Sequence, residues 1–173
     1  MHGGATGQFA GIPMNISKGP NGTVDYMVAG TWASKAAKEA EKYTNVNLVF
    51  PKATTYTGIP DKMQWNLDSN AAYVYYTDNE TFHGIEYPDV PSTLPNVTIC
   101  CDMTSNFLTR PFDVTKFGVI IASAQKNCGI AGMAIVIVRE DLFGHALTYC
   151  PGIFDWKITS DNGSNWNTSP CFQ

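Results

Sequence analysis

A lysine, an aspartate and a glycine-rich loop are the residues of this chain whose types and settings could do chemistry. Lys126 lies in Ala122-Ser123-Ala124-Gln125-Lys126-Asn127, directly after an apolar run. Desolvation among such small neighbours would free its amine as a nucleophile, while the plain alternative is a lysine in solvent. Asp102 follows Val97-Thr98-Ile99-Cys100-Cys101. A carboxylate at the end of a buried strand needs a cationic or hydrogen-bonding partner, and its other ordinary role there is a helix N-cap. Gly3-Gly4-Ala5-Thr6-Gly7 opens a helix. Small residues let backbone N–H groups approach an anion, and the helix dipole favours negative charge. The loop is otherwise a structural turn, and it matches neither the dinucleotide fingerprint nor the P-loop.

The three features together have one economical explanation. Pyridoxal phosphate needs a lysine to hold it covalently, a carboxylate on its pyridinium nitrogen and a cradle for its phosphate. The carboxylate keeps the ring nitrogen protonated, which makes the ring an electron sink.

Those residues must be positioned by alternating strands and helices. Gln8 to Asn15 reads as a short helix and Val24 to Gly30 as a strand. Ala33 to Tyr43 is the clearest helix, with Ser34 as N-cap. Its i,i+4 pairs are one favourable, Lys35 with Glu39, and one unfavourable, Lys38 with Lys42. Val46 to Phe50 and Ala71 to Thr77 read as strands, with a Gly58/Pro60 loop between them. Val97 to Cys101, Phe117 to Ala122 and Met133 to Val138 are near-continuous apolar runs, as buried strands are. The expected fold is α/β: three layers, α/β/α, around a mostly parallel mixed sheet. In such a sheet ligands bind at the strands' carboxyl ends, which brings Asn79 to Thr81, Asp102, Gln125, Lys126 and the glycine loop together. That loop normally follows a strand, so a strand is expected upstream of residue 1. The last residues show no terminating logic, and both ends read as cut from a longer protein.

Composition narrows the function classes. The chain has 173 residues, 11 Lys and Arg against 15 Asp and Glu, and a net charge of −4. Without basic clusters it is not expected to bind nucleic acid. No apolar stretch reaches the length of a membrane span, and Met1 to Ala10 does not read as a secretory signal. The five cysteines include the adjacent pair Cys100 and Cys101, a poor disulfide framework, so reduced thiols in the cytoplasm are expected. The three histidines are dispersed and no metal site is expected. Asn-x-Ser/Thr sequons such as Asn79 and Asn162 follow from a composition rich in Asn, Ser and Thr.

Six separated motifs go further. They are Gly3-Gly4-Ala5-Thr6-Gly7-Gln8-Phe9; Gly30-Thr31-Trp32; Tyr75-Tyr76-Thr77-Asp78-Asn79-Glu80-Thr81; Cys101-Asp102-Met103-Thr104-Ser105-Asn106; Gly118 through Asn127; and Ile135 through Leu142. In order and spacing the chain resembles the phosphoserine aminotransferases, within the fold-type I pyridoxal-phosphate enzymes. The resemblance spans essentially the whole sequence but corresponds only to part of the family's large, cofactor-binding domain. The family's N-terminal segment and C-terminal small domain are absent.

The resemblance implies roles. Lys126 resembles the Schiff-base lysine and proton shuttle, and Asp102 the partner of the pyridine nitrogen. Trp32 resembles the aromatic that stacks on the cofactor ring, and Thr81 the residue bonding its phenolic oxygen. Ala5, Thr6 and Gln125 resemble the phosphate contacts. Asn167 and Thr168 resemble the pair that reaches the phosphate in the neighbouring subunit, which implies a homodimer. The implied reaction moves an amino group from glutamate to 3-phosphohydroxypyruvate, giving O-phosphoserine and 2-oxoglutarate in serine biosynthesis. Two departures stand out. The Arg and His residues that hold the family's substrate anions lie outside this sequence, and Asn167-Thr168-Ser169-Pro170 replaces the usual Asn-Thr-Pro-Pro. The alternative expectation is a non-catalytic truncated homologue that keeps the cofactor motifs.

Overall fold

In the computed structural model, which describes residues 1–165, the apolar runs form one sheet. Its strands are β1 (Thr23–Met27), β2 (Asn45–Leu48), β3 (Tyr73–Thr77), β6 (Thr98–Asp102), β7 (Val119–Ser123) and β8 (Ala134–Val138). They lie in the order β2-β1-β3-β6-β7-β8. All neighbours are parallel except β7 and β8. A separate hairpin pairs β4 (Asn79–Glu80) with β5 (Ile85–Glu86). The hairpin was not foreseen, because two-residue strands leave no periodic signal.

Alternation along each strand divides the core in two. Val24, Tyr26, Tyr73, Tyr75, Cys100, Val119 and Ile121 face helices α1 (Gly4–Ile16) and α2 (Thr31–Ala40). Short α3 (Trp156–Asp161) adds Trp156 to that face. Met27, Val74, Tyr76, Cys101, Ile120 and Ala122 face the other way. On that side the covering layer is loops, turns and the β4/β5 hairpin, carrying Phe50, Tyr87, Met103 and Phe107. Prolines at 88, 91 and 95 fix extended backbone in part of that layer.

Helix α2 forms because Ala33, Ala36, Ala37 and Ala40 make one buried stripe of strong helix formers. Its N-cap is Gly30 and not Ser34, whose own amide donates to the Gly30 carbonyl at 3.0 Å. Lys42 pairs with Glu39 at 2.6 Å, and Lys35 sits over the Trp32 ring at 4.4 Å instead of pairing with Glu39. Helix α1 starts at Gly4, four residues earlier than the sequence suggested, so the glycine loop is itself the first turn.

Residues 1 and 2 run extended ahead of α1. His2 bridges Met133 in antiparallel fashion, and Met1 and Ala134 exchange backbone hydrogen bonds of 2.6 and 2.9 Å. Since β8 runs against the other strands, Met1–His2 runs with them. Gly3 therefore emerges at the same sheet edge as Thr77, Asp102 and Ser123. Cys100, Cys101, Cys128 and Cys150 are free thiols. No helix among the described residues is long and apolar enough to cross a membrane.

Candidate active site

Thr77, Asp102 and Ser123 end β3, β6 and β7. By alternation with Tyr75, Cys100 and Ile121 they project from the helical face, beside the N-termini of α1 and α2. A cavity of about 300 Å³ opens there. Its walls include Ala5 and Thr6, Trp32, Asn79 and Thr81, Asp102 and Thr104, and Gln125 and Lys126. Every expected site residue within the described part of the chain reaches this one cavity. Asn167 and Thr168 lie outside the described residues.

At one end is the start of α1. The Gly3 and Gly4 amides donate to the Gly132 carbonyl at 3.0 and 3.3 Å, and Gly7 donates to Gly3 at 2.9 Å. The Ala5 and Thr6 amides have no acceptor within the helix and line the cavity. The first turn holds no acidic residue, so its dipole is free to favour an anion. Gly4 has φ +57°, and a Cβ there would stand 2.9 Å from Ser123 Oγ. Glycine lets α1 close onto β7 and brings those amides to the strand ends.

Asp102 forms the floor and is 4% exposed. Oδ1 accepts from the Thr104 amide at 2.8 Å and from Thr104 Oγ1 at 2.5 Å. These bonds close a turn; no helix follows, so Asp102 is not a helix N-cap. Thr104 Oγ1 in turn accepts from the Ser123 amide at 3.1 Å, which locks β6 to β7. Burial pushes the Asp102 carboxyl up to about 6, the Thr104 bonds oppose this, and the charges of Glu80 and Asp78 add to it. No cation pairs with Asp102 among the described residues. The site thus holds a buried acceptor suited to a ligand N–H⁺.

Lys126 sits on the turn after β7, where Cys128 and Gly129 donate back to the Ala124 carbonyl at 3.1 and 2.9 Å. Asn127 Nδ2 ties the turn down through the Ser105 and Phe107 carbonyls at 3.0 and 2.8 Å. The expected desolvation of Lys126 is not found: its side chain is exposed at the cavity mouth. The small residues around it leave room for a ligand but cover nothing by themselves. Gln125 is exposed as well and accepts from Ser123 Oγ.

Trp32 forms one side wall. Its ring stacks on Phe82 with centroids 5.1 Å apart. Thr81 is exposed in the β4/β5 turn across from it. Between them lies Glu80, fully buried, with both carboxylate oxygens on α2 amides: Trp32 at 2.9 Å and Ala33 at 2.7 Å.

Sequence reasoning missed Thr104, Ser123 and Gly132, and it brought Glu80 to the site with Asn79 and Thr81 but missed its role. Thr104 carried a signal, since Asp followed two residues later by Thr is a side-chain-closed turn. Glu80 carried none, because its partners lie 47 and 48 residues upstream.

The donor set fits pyridoxal phosphate. Free amides at a helix start suit its phosphate, a buried carboxylate its ring nitrogen, and a lysine its aldehyde carbon. The cofactor these residues fit is pyridoxal phosphate.

Comparison with known proteins agrees. The aminotransferase class-V family model matches residues 1–171. The chain is 51% identical over 172 residues to the phosphoserine aminotransferase of Drosophila melanogaster and 48% identical over 169 residues to that of Pseudomonas putida. These matches cover 99% and 97% of this chain but 47% and 46% of the relatives. The chain spans about half the length of the curated relatives it matches. Among solved structures, a PLP-bound phosphoserine aminotransferase from Trichomonas vaginalis superposes with a TM-score of 0.89 at 39% identity. One from Bacillus circulans gives 0.88 at 40% identity. Each covers 98% of this chain, which covers 48% and 47% of them.

Proposed function

Because the chain belongs to the aminotransferase class-V family, we propose that it is the cofactor-binding part of a phosphoserine aminotransferase. The reaction assigned is transfer of an amino group from glutamate to 3-phosphohydroxypyruvate, giving 2-oxoglutarate and O-phosphoserine. The observation that carries the reading is the convergence of Lys126, Asp102 and the Ala5 and Thr6 amides on one cavity.

When bound, pyridoxal phosphate supplies a sink for the electron pair left on the substrate α-carbon. The chain's residues divide the remaining work. The Ala5 and Thr6 amides would hold the phosphate. Asp102 Oδ2 holds a proton at the ring nitrogen, while Thr104 keeps the carboxylate oriented through Oδ1. Trp32 stacks against the ring, Thr81 bonds its phenolic oxygen and Gln125 its phosphate. Lys126 Nζ would hold the cofactor covalently and would also carry the proton at the substrate α-carbon. The exposure of Lys126 fits an amine that must swing between these two tasks. Asn167 and Thr168 are assigned to the neighbouring subunit's phosphate, so the protein acts as a homodimer. Serine biosynthesis in the cytoplasm is the setting that goes with this reaction.

The test is incubation with pyridoxal phosphate, borohydride reduction and peptide mapping by mass. The expected result is one adduct at Lys126 that is lost in Lys126→Ala. Adducts scattered over the lysines, or none, would overturn the assignment and leave a chain that keeps the motifs without the function.

A further inference from the structure

Helix α2 begins without a cap of its own: Gly30 at the N-cap has no side chain to offer. Its first amides would be left unpaired at the wall of the cavity. Glu80 supplies the missing acceptors from across the chain, one carboxylate oxygen for Trp32 N and one for Ala33 N. It is fully buried, as a carboxylate can be when both oxygens take charge-assisted bonds at a helix N-terminus. Gly30 is shaped to admit it, since a Cβ there would lie 2.4 Å from Glu80 Cδ. Glu80 also sits between Asn79 and Thr81, which line the opposite wall. Glu80 therefore ties together two walls that come from segments 48 residues apart, beside the Thr31–His83 hydrogen bond at 2.8 Å and the Trp32–Phe82 stack, and it is the buried one of these ties.

We infer that Glu80 is a positioning residue for the cofactor: it sets the Trp32 ring by clamping the first turn of α2 to the β4/β5 hairpin. The inference rests on the proposed pyridoxal-phosphate site. Glu80 touches no reacting atom and acts through Trp32. Glu80→Gln keeps the shape but turns an amide N–H₂ toward one of the two backbone N–H groups, so one bond is replaced by a donor–donor contact.

The test combines hydrogen exchange with a double-mutant cycle. In the cofactor-free chain, exchange of the Trp32 and Ala33 amides should be at least tenfold faster in Glu80→Gln than in wild type. Equal rates would overturn the inference whatever the cofactor does. With pyridoxal phosphate as the probe, Glu80→Gln should weaken binding at least tenfold and alter the cofactor's induced circular dichroism. Both effects should vanish when measured in a Trp32→Ala background. A penalty that persists undiminished without Trp32 would show a merely structural role and overturn the inference. Gly30→Ala, which presses on Glu80 from the helix side, should reproduce the Glu80→Gln changes, and an unaltered signal would count against the clamp. Failure of wild type to take up cofactor at Lys126 would instead strike the proposed function, and the exchange result would still decide the clamp.

Discussion

Asp102 is held in the form that costs the fold most. Its carboxyl is nearly fully buried with no cation beside it, and its pKa stands near 6 against an ordinary 3.8. A raised folded pKa means that folding disfavours the ionised form. The cost is absent below about pH 4, grows between pH 4 and 6, and is fully present above. At neutral pH it amounts to at most about 3 kcal/mol. Asp102→Asn should therefore stabilise the cofactor-free protein, as read by thermal unfolding at pH 7. That advantage should shrink by more than half at pH 4.5, where Asp102 itself is largely protonated. The same substitution should weaken pyridoxal phosphate binding roughly tenfold or more, since a bond to a charged group is lost. A variant less stable than wild type at pH 7 would show that the Thr104 bonds outweigh the burial cost. Asp102 was legible in the sequence because a carboxylate at the end of an apolar run has few reasons to be there. Its partner Thr104 could be read as a turn residue. That the same hydroxyl also accepts from the Ser123 amide of β7 could not, since strand order is a tertiary fact.

At the scale of elements, the first turn of α1 is the proposed anion-binding element and Gly4 is its hinge. Ala at this position would need a left-handed backbone, costing about 1–2 kcal/mol, and would also push on Ser123 Oγ. Gly144 has φ +80° with open space around its Cβ position, so Gly144→Ala isolates the backbone term. Urea unfolding should show Gly4→Ala as the costlier of the two. Only Gly4→Ala should weaken pyridoxal phosphate binding, because only there does the helix move away from the strand ends. The strands were legible in the sequence because apolar runs of four to six residues with β-branched side chains have few other homes. The N-terminus of α2 was misread for a definite reason. A local serine, Ser34, was available as a cap, but a buried glutamate from another segment took the role, and no local pattern reports that competition.

At the scale of the whole molecule, the edge of β8 is an exposed liability. In β8 the groups of Ala134 point outward, since they pair with Met1, and by alternation so do those of Val136 and Val138. Beyond Met1 that edge is open among the described residues, and Ala-Ile-Val-Ile-Val is an apolar edge of the kind that recruits other strands. The chain is expected to self-associate with rising concentration in sedimentation experiments. Val136→Pro removes an N–H that bonds nothing within the sheet, so it should reduce association while leaving the circular dichroism of the fold intact. Association unchanged by this substitution would point to another surface. The opposite edge, β2, carries Asn45 and Asn47 and reads as protected.

The pairing of Met1 and His2 with Met133 and Ala134 also dictates an order of events. The turn whose Ala5 and Thr6 amides are proposed to receive the phosphate is anchored through Gly3 and Gly4 to the Gly132 carbonyl, about 130 residues later in the chain. During synthesis the glycine turn leaves the ribosome well before β8, yet it has nothing to rest on until β8 has been made and paired. Contacts so distant in sequence close late, after the local helices and the β1–α2–β2 unit. Uptake of pyridoxal phosphate should accordingly lag behind the recovery of secondary structure in refolding, so that the cofactor acts as a timer for the final closure of the sheet.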